Sequence, residues 1–427
     1  MPGPANNSRL RLIPIMLAQG AGLACGISGI WLNSHLLSPP ALGFYGLFLS
    51  LVPIGAWVVH AGLIKYTNRH WAAASSRPDF TRNVFAAWAT RLPWLAALAG
   101  AAAWFMLGAR IPDVLLLTLL LFLAAALLSL GGLAQAALQA MQAHWRDCAV
   151  AITGSISRSF GPPLLYAGMT GGVSLLLLGF GLHALVLAGL GWWMLRSEWR
   201  GPRTAPVQAG FSAVYAGPLF TALAAANWIL SGMNRWFIVS FHGQIQAGFF
   251  TLIGGAAAII TSMLGTIIMQ YAQPGLFALG DQTGQDPTPL ARRTDLLALG
   301  YTLLTGCALA LFWAAAPRLI GSLISPAYTN ALVWLLPGGA FGLATMTGVI
   351  YHVMLVAGRR ERACGPVDLS TAAVLAGGSA LTAASSLEGL KLWLLVTPLV
   401  PWLLTRTLAR HYLFKPAAPP GPAPVRT

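Results

Sequence analysis

Long apolar stretches recur along the whole chain and are separated by short polar segments. Each stretch is close to or above the ~20 residues that a helix needs to cross the hydrocarbon core of a bilayer. Because lipid offers no partner to backbone N–H and C=O groups, we expect each stretch to form a helix that bonds its own backbone. The predicted spans are 12–35, 42–64, 85–109, 114–141, 149–169, 173–195, 213–240, 248–271, 296–316, 330–357, 366–386 and 390–412.

The basic residues predict how these spans are oriented. With the first segment in the cytoplasm, 19 of the 25 lysines and arginines fall in cytoplasmic segments, three in outer segments and three within spans. This excess is typical of cytoplasmic loops and predicts that both termini lie in the cytoplasm. The first apolar run follows Arg9 and Arg11, but it is long for a signal peptide, so we interpret it as a retained first helix.

Composition excludes a soluble protein. Hydrophobic residues make up 57% of the chain, charged residues only 8%, and the mean hydropathy is +0.70, whereas about a quarter of a soluble domain is charged. The net charge of +15 could suggest nucleic-acid binding, but the basic residues are placed as topology signals, so no nucleic-acid partner is expected. The four cysteines have no CxxC spacing and no nucleotide-binding loop occurs, so no metal or cofactor is expected.

The two halves of the chain resemble each other. Leu42-Gly43-Phe44-Tyr45 matches Ala247-Gly248-Phe249-Phe250 at an offset of 205 residues, and a basic linker lies between two sets of six spans. Parallel halves of this kind are typical of transporters whose substrate site lies between them. We therefore predict an all-α polytopic membrane protein of about 12 transmembrane helices, with a six-helix lobe over 1–204, another over 205–415, and a disordered Pro-rich tail over 416–427.

Three segments resemble a known family. They are Leu37–Ser50 (LSPPALGFYGLFLS), Asn234–Leu252 (NRWFIVSFHGQIQAGFFTL) and Ile324–Leu336 (ISPAYTNALVWLL). They are similar to the polysaccharide transporters of the multidrug/oligosaccharidyl-lipid/polysaccharide exporter (MOP) superfamily, which include bacterial O-antigen and exopolysaccharide flippases. The similarity covers the whole chain in layout, although some capsule flippases carry two further helices for which this chain has no room.

The resemblance implies a V-shaped, two-lobed bundle in the bacterial inner membrane. Such a protein moves an undecaprenyl-pyrophosphate-linked glycan from the cytoplasmic to the periplasmic leaflet by alternating access, through a cationic central cavity. It also implies that the isoprenoid tail travels along lipid-facing grooves. The implied partners are that lipid-linked glycan, membrane lipids, and the glycan polymerase and glycosyltransferases of the same pathway. No enzymatic activity is implied.

Three arginines lie within predicted spans, where a charge costs about 2.5–3.5 kcal/mol. They are Arg91, Arg158 and Arg235. A guanidinium forms bidentate bonds with phosphate, so an anionic substrate is one candidate partner. The alternatives are that Arg91 extends to the cytoplasmic headgroups, and that Arg235 extends outward or binds helix C-terminal carbonyls. The carboxylates are expected at or near helix ends and not beside these arginines: Asp113, Asp147, Asp295, Asp368 and Glu388.

Further polar side chains within spans are candidates for lining the same cavity. His60 and His352 occupy related inner parts of the second and tenth spans, and Asn234 precedes Arg235. Each could instead form a hydrogen bond to a neighbouring helix. The predicted substrate-binding residues are Arg158, Arg235, Arg91, His60, His352 and Asn234.

Rival functions make different demands on the sequence. A multidrug or cation antiporter of the same superfamily needs a buried acid that takes up and releases a cation. A membrane glycosyltransferase or polymerase needs a carboxylate, commonly in an outer loop, and only Asp113 and Glu388 lie in such loops. A peptidoglycan-precursor flippase of the superfamily usually has fourteen helices. An ion gradient, the membrane potential or consumption of the product could each drive transport.

Overall fold

The chain is helical throughout the parts that the structure describes. The computed structural model describes residues 8–60, 62–71, 76–108, 114–169, 172–199, 218–282 and 286–415, and no strand occurs within these ranges. The basic linker after residue 199 and the Pro-rich tail from 416 onward lie outside the described residues. The boundary between 204 and 205 therefore stays a prediction.

The described helices follow one another with short connections. They are α1 (Ser8–Leu36), α2 (Pro39–His60), α3 (Leu63–His70), α4 (Arg77–Ala89), α5 (Leu92–Gly108), α6 (Val114–Ala140), α7 (His144–Gly168), α8 (Ser174–Met194), α9 (Arg196–Trp199), α10 (Pro218–Phe249), α11 (Gly255–Gln282), α12 (Thr288–Leu323), α13 (Leu335–Ala357), α14 (Glu361–Ser385), α15 (Leu387–Val396) and α16 (Arg406–Phe414). A 3₁₀ helix, Pro326–Trp334, precedes α13, and wide π turns precede α11 and α16.

About twelve of these segments cross the membrane, as predicted. Ten described helices are long and apolar enough to span a bilayer, and one of these, Gly232–Gln273, is 42 residues long. That segment comprises two spans, because Gly243 leaves helical geometry with φ of 84° and ψ of 171°, and a positive φ is readily adopted only by glycine. Together with α7, which is more polar and 25 residues long, the described segments long enough to span a bilayer number about twelve.

One predicted helix is interrupted. The third span was expected to run unbroken over 85–109, but α4 ends at Ala89 and α5 begins at Leu92. Proline at position 93 cannot donate a backbone hydrogen bond and disfavours helical geometry in the residue before it. Arg91 consequently lies at a junction between two helices and not inside one.

The two halves meet where α2 crosses α10. A side chain at Gly43 would overlap the carbonyl oxygen of Gln244, and a side chain at Gly248 would overlap that of Pro39. Gly248 follows Gly43 by 205 residues, and Gln244 follows Pro39 by 205 residues. This is the offset of the sequence repeat. Reciprocal contacts of this kind are what a two-fold relation between the halves produces. We call this contact the glycine crossing.

Hydrogen bonds reinforce the glycine crossing. The indole of Trp236 on α10 donates to Ser50 Oγ on α2 over 2.8 Å. The hydroxyl of Tyr328, in the 3₁₀ helix before α13, donates to the carbonyl oxygen of Leu37 over 3.0 Å. These bonds lie at the predicted outer side, so the halves are tied together there.

Gly43→Ala is expected to destabilise the chain by about 1–3 kcal/mol, because the added methyl group forces two backbones apart. The measurement is thermal unfolding of the purified protein in detergent. Gly181→Ala is the matched control, since open space surrounds Gly181 on α8. Equal unfolding temperatures for the two variants would contradict the close approach.

Candidate functional site

Small residues position α7 against its neighbours. A methyl group on Gly29 of α1 would lie 3.1 Å from Cβ of Ser159, and one on Gly154 would lie 2.9 Å from Cδ1 of Leu187 on α8. Helical periodicity of 100° per residue places Arg158 between the face that contacts α1 and the face that contacts α8. Its side chain is exposed, so it enters open space and is not packed into the bundle.

Arg158 lies within electrostatic range of three groups from three other helices. They are Tyr45 on α2, His183 on α8 and Arg235 on α10. Arg158 lies in the N-terminal half of the chain and Arg235 in the C-terminal half. Two of the arginines predicted to bind substrate, one from each half, are thus within electrostatic range of each other. We call these two residues the arginine pair.

Arg235 is held at this place by its neighbours on α10. Trp236, the next residue, bonds to α2, and Asn234, the residue before, is only 5% exposed. Within the described part of the chain, the Nδ2 group of Asn234 has no hydrogen-bond partner. A buried amide donor without a partner costs about 1–3 kcal/mol, so a ligand that accepts this bond would remove that cost.

Like charges held close together repel, and more strongly in a medium of low dielectric constant than in water. Among the described residues, no carboxylate forms an ion pair with Arg158. An anion between the two guanidinium groups would relieve the repulsion and accept several charge-assisted hydrogen bonds. The arginine pair is therefore a candidate for binding an anion.

Arg91 and His60 lie together, apart from the arginine pair. The Nη1 group of Arg91 donates to the carbonyl oxygen of Val59 over 3.2 Å, and its charge acts on His60. Val59 and His60 are the last two residues of α2. Arg91 therefore binds a carbonyl at the C-terminus of a helix. That arrangement was one of the alternatives for Arg235.

His352 occupies a third place. Its Nδ1 atom lies 2.8 Å from Oδ2 of Asp368, and both side chains are largely buried between α13 and α14. The structure thus distributes the six predicted residues over three places, with only Arg158, Arg235 and Asn234 at or next to the arginine pair. Whether any of the six binds substrate stays a prediction.

The expectation about carboxylates needs correction. Asp295 and Asp368 lie about two turns inside α12 and α14, not at helix ends. Asp295 accepts two hydrogen bonds from Arg406, both of 2.9 Å, and one of 3.1 Å from the Tyr351 hydroxyl. A guanidinium and a phenol from other helices can satisfy a carboxylate well inside a helix, which the sequence pattern does not reveal.

Asp295→Asn is expected to destabilise the C-terminal half by about 1–3 kcal/mol, since it removes charge-assisted bonds to Arg406. Arg410, whose Nη1 atom lies 3.4 Å from the same carboxylate, also loses its counter-ion. Thermal unfolding in detergent measures the change. Tyr351→Phe, which removes only one hydrogen bond, should cost less, and a larger loss in that variant would contradict the assignment.

Sequence reasoning gave no role to Tyr45, His183 and Ser157. The Nδ1 atom of His183 lies 2.9 Å from Ser157 Oγ, so the residue next to Arg158 holds the imidazole beside the charge. The sequence does show a serine directly before an intramembrane arginine and a histidine within the next span. These positions do not predict the contact between them, because side chains 26 residues apart meet only through helix packing.

Solved structures of transporters share this arrangement of helices. A mutant of the Vibrio cholerae MATE transporter VcmN aligns with a TM-score of 0.58 at 12% identity, over 95% of this chain and 97% of that one. An inward-facing multidrug resistance MATE family transporter of the MOP superfamily gives 0.53 at 13%, over 95% and 100%. A MOP superfamily transporter from Pyrococcus furiosus gives 0.52 at 15%, over 95% of each chain.

The chain has the all-helical fold of these structures, whose own descriptions call them transporters. Two of them are described as members of the MOP superfamily, and the shared fold confirms the expected fold class. At 12–15% identity the likeness concerns the fold alone. No family model and no curated protein matches the sequence.

Proposed function

We propose that this chain moves a pyrophosphate-linked glycan on an isoprenoid carrier from the cytoplasmic to the outer leaflet of a bacterial inner membrane. The observation that carries the proposal is the arginine pair. Arg158 and Arg235 come from different halves of the chain, and the two charges lie within electrostatic range of each other. A pyrophosphate between them would neutralise both charges through bidentate bonds.

The geometry supports a role for the anion in alternating access. Since the two arginines belong to different halves, their repulsion opposes a close approach of the halves around an empty site. A bound pyrophosphate links the halves, and its release on the outer side restores the repulsion. Asn234 supplies a further donor for a phosphate oxygen or a sugar hydroxyl. In this proposal both termini face the cytoplasm, where glycosyltransferases supply the substrate, and a polymerase consumes it outside.

One structural neighbour is compatible with an anionic substrate in this fold. The Pyrococcus furiosus transporter is described as having a binding pocket of reverse polarity that suggests a different function. Within this fold, pocket polarity therefore differs between proteins. An arginine pair is poorly suited to an organic cation, which it would repel.

Inorganic pyrophosphate is expected to raise the unfolding temperature of the purified chain, because a ligand that binds the folded state stabilises it. Arg158→Ala and Arg235→Ala should each weaken this binding roughly 10- to 100-fold through the loss of charge-assisted bonds. Arg146→Ala is the control, since that residue lies on α7 and bonds to the carbonyl oxygen of Met194. An equal loss in all three variants would contradict a specific site.

Transport is tested in a flippase-deficient bacterial strain. Arg158→Ala should reach the membrane at the wild-type level and fail to restore surface glycan, while Arg146→Ala restores it. Full restoration by Arg158→Ala would contradict the role of the arginine pair. If the chain binds pyrophosphate but supports no transport of glycan, the anion-binding site would stand and the proposed cargo would be wrong.

Cation-coupled export of organic cations is the second candidate function. The observation that favours it is Asp368, a carboxylate within a span of the kind that such an antiporter requires, with the Nδ1 atom of His352 2.8 Å away. Asp295 is a second carboxylate within a span, although two arginines already surround it. Multidrug transporters among the structural neighbours have the same fold.

Our proposal predicts no ethidium export by cells that express the chain, above that of cells with an empty vector, because the central charges repel a cation. The measurement is ethidium fluorescence over time after a pH gradient is imposed. Export that Asp368→Asn abolishes would instead favour the antiporter. Asp286→Asn is the control, since Asp286 lies outside the predicted spans and accepts a hydrogen bond from the backbone N–H of Thr288, two residues on.

A further inference from the structure

A groove runs along the lipid-facing side of the C-terminal half, between α11 and α12. Its volume is about 520 Å³, within the range of small-molecule sites. Five isoleucine and leucine side chains line it, together with Gly300, two tyrosines and Arg293. It is therefore an apolar groove with one cationic residue. The arginine pair is not part of its lining.

The groove opens toward the bilayer. Leu296 is 61% exposed and Tyr271 is 83% exposed, and both belong to membrane-spanning helices. A side chain at Gly300 would meet no atom within 4 Å. Because glycine has no side chain, the groove is deeper at this position. The Tyr301 hydroxyl closes its floor, since it donates to the carbonyl oxygen of Thr261 over 3.0 Å and joins the two helices.

Arg293 lies at one end of the groove, held between the helices. It belongs to the second turn of α12, at the predicted cytoplasmic side. A methyl group on Gly275 of α11 would lie 3.2 Å from Nη2 of Arg293, so the lack of a side chain at 275 lets the guanidinium rest against α11. Asp295, two residues on, is bound by Arg406 and Arg410. In the described part of the chain no carboxylate is paired with Arg293.

We propose that this groove binds one anionic phospholipid of the cytoplasmic leaflet, with its phosphate on Arg293 and an acyl chain along the channel. Charge complementarity selects this occupant, because basic pockets between membrane helices on the cytoplasmic side favour anionic headgroups. A guanidinium binds a phosphate through directed hydrogen bonds, and the aliphatic lining accepts a hydrocarbon chain. The site is separate from the proposed cargo site and does not depend on what the chain transports.

The test measures phosphatidylglycerol bound to the purified full-length chain by native mass spectrometry, with phosphatidylethanolamine of the same acyl chains as the zwitterionic control. Wild type should retain phosphatidylglycerol in preference. Arg293→Gln should weaken that binding about tenfold, as expected for the loss of a charge-assisted bond. Arg292→Gln removes the same charge from an exposed neighbour that does not line the groove, and it should leave binding within about twofold of wild type.

Gly300→Leu tests the channel without changing any charge. The open space at Gly300 allows the larger side chain, so the variant should fold and still lose phosphatidylglycerol, because the channel is filled. Equal effects of Arg292→Gln and Arg293→Gln would overturn the site in favour of general surface attraction. Unchanged binding in Gly300→Leu would overturn the place assigned to the acyl chain. Displacement of phosphatidylglycerol by an equal amount of polyprenyl phosphate would overturn the occupant and assign the groove to the isoprenoid carrier.

Discussion

The glycine crossing is the constraint on which the arrangement of the two halves depends. In lipid, apolar side chains gain little by leaving their surroundings, so helices associate where small residues let their backbones approach. Gly43 and Gly248 allow this approach on both sides of the crossing. Gly46 faces Thr251 across the same contact, and these two residues are themselves 205 positions apart. The bonds of Trp236 and Tyr328 between the halves form around this contact.

The crossing also determines where charge is held. It places α10 against α2, and thereby places Arg235 within electrostatic reach of Arg158 on α7. Two positive charges within a bilayer are costly. In the proposed function, a cargo that enters with its own negative charge offsets part of that cost.

Two carboxylates of the C-terminal half have partners within the protein. Asp295 is bound by Arg406 from α16, and Asp368 lies against His352. These carboxylates are thus set apart from the arginine pair. The groove at Arg293 has a different character, because an aliphatic channel and a cation at its end suit a lipid and not a soluble ion. The arginine pair and the groove therefore lie at different places in the fold.

The sequence by itself determined most of the helices, because span length and hydropathy act along one segment at a time, but it did not predict the break between Ala89 and Leu92. It also determined the offset of 205, which reappears as the reciprocal contacts of Gly43 and Gly248. Only the tertiary structure decided which charges meet. Arg158 and Arg235 come together while Arg91 does not, and Asp295 finds Arg406 across 111 residues. Spacing along a chain sets which face of a helix a side chain occupies, but packing between helices sets what that face touches.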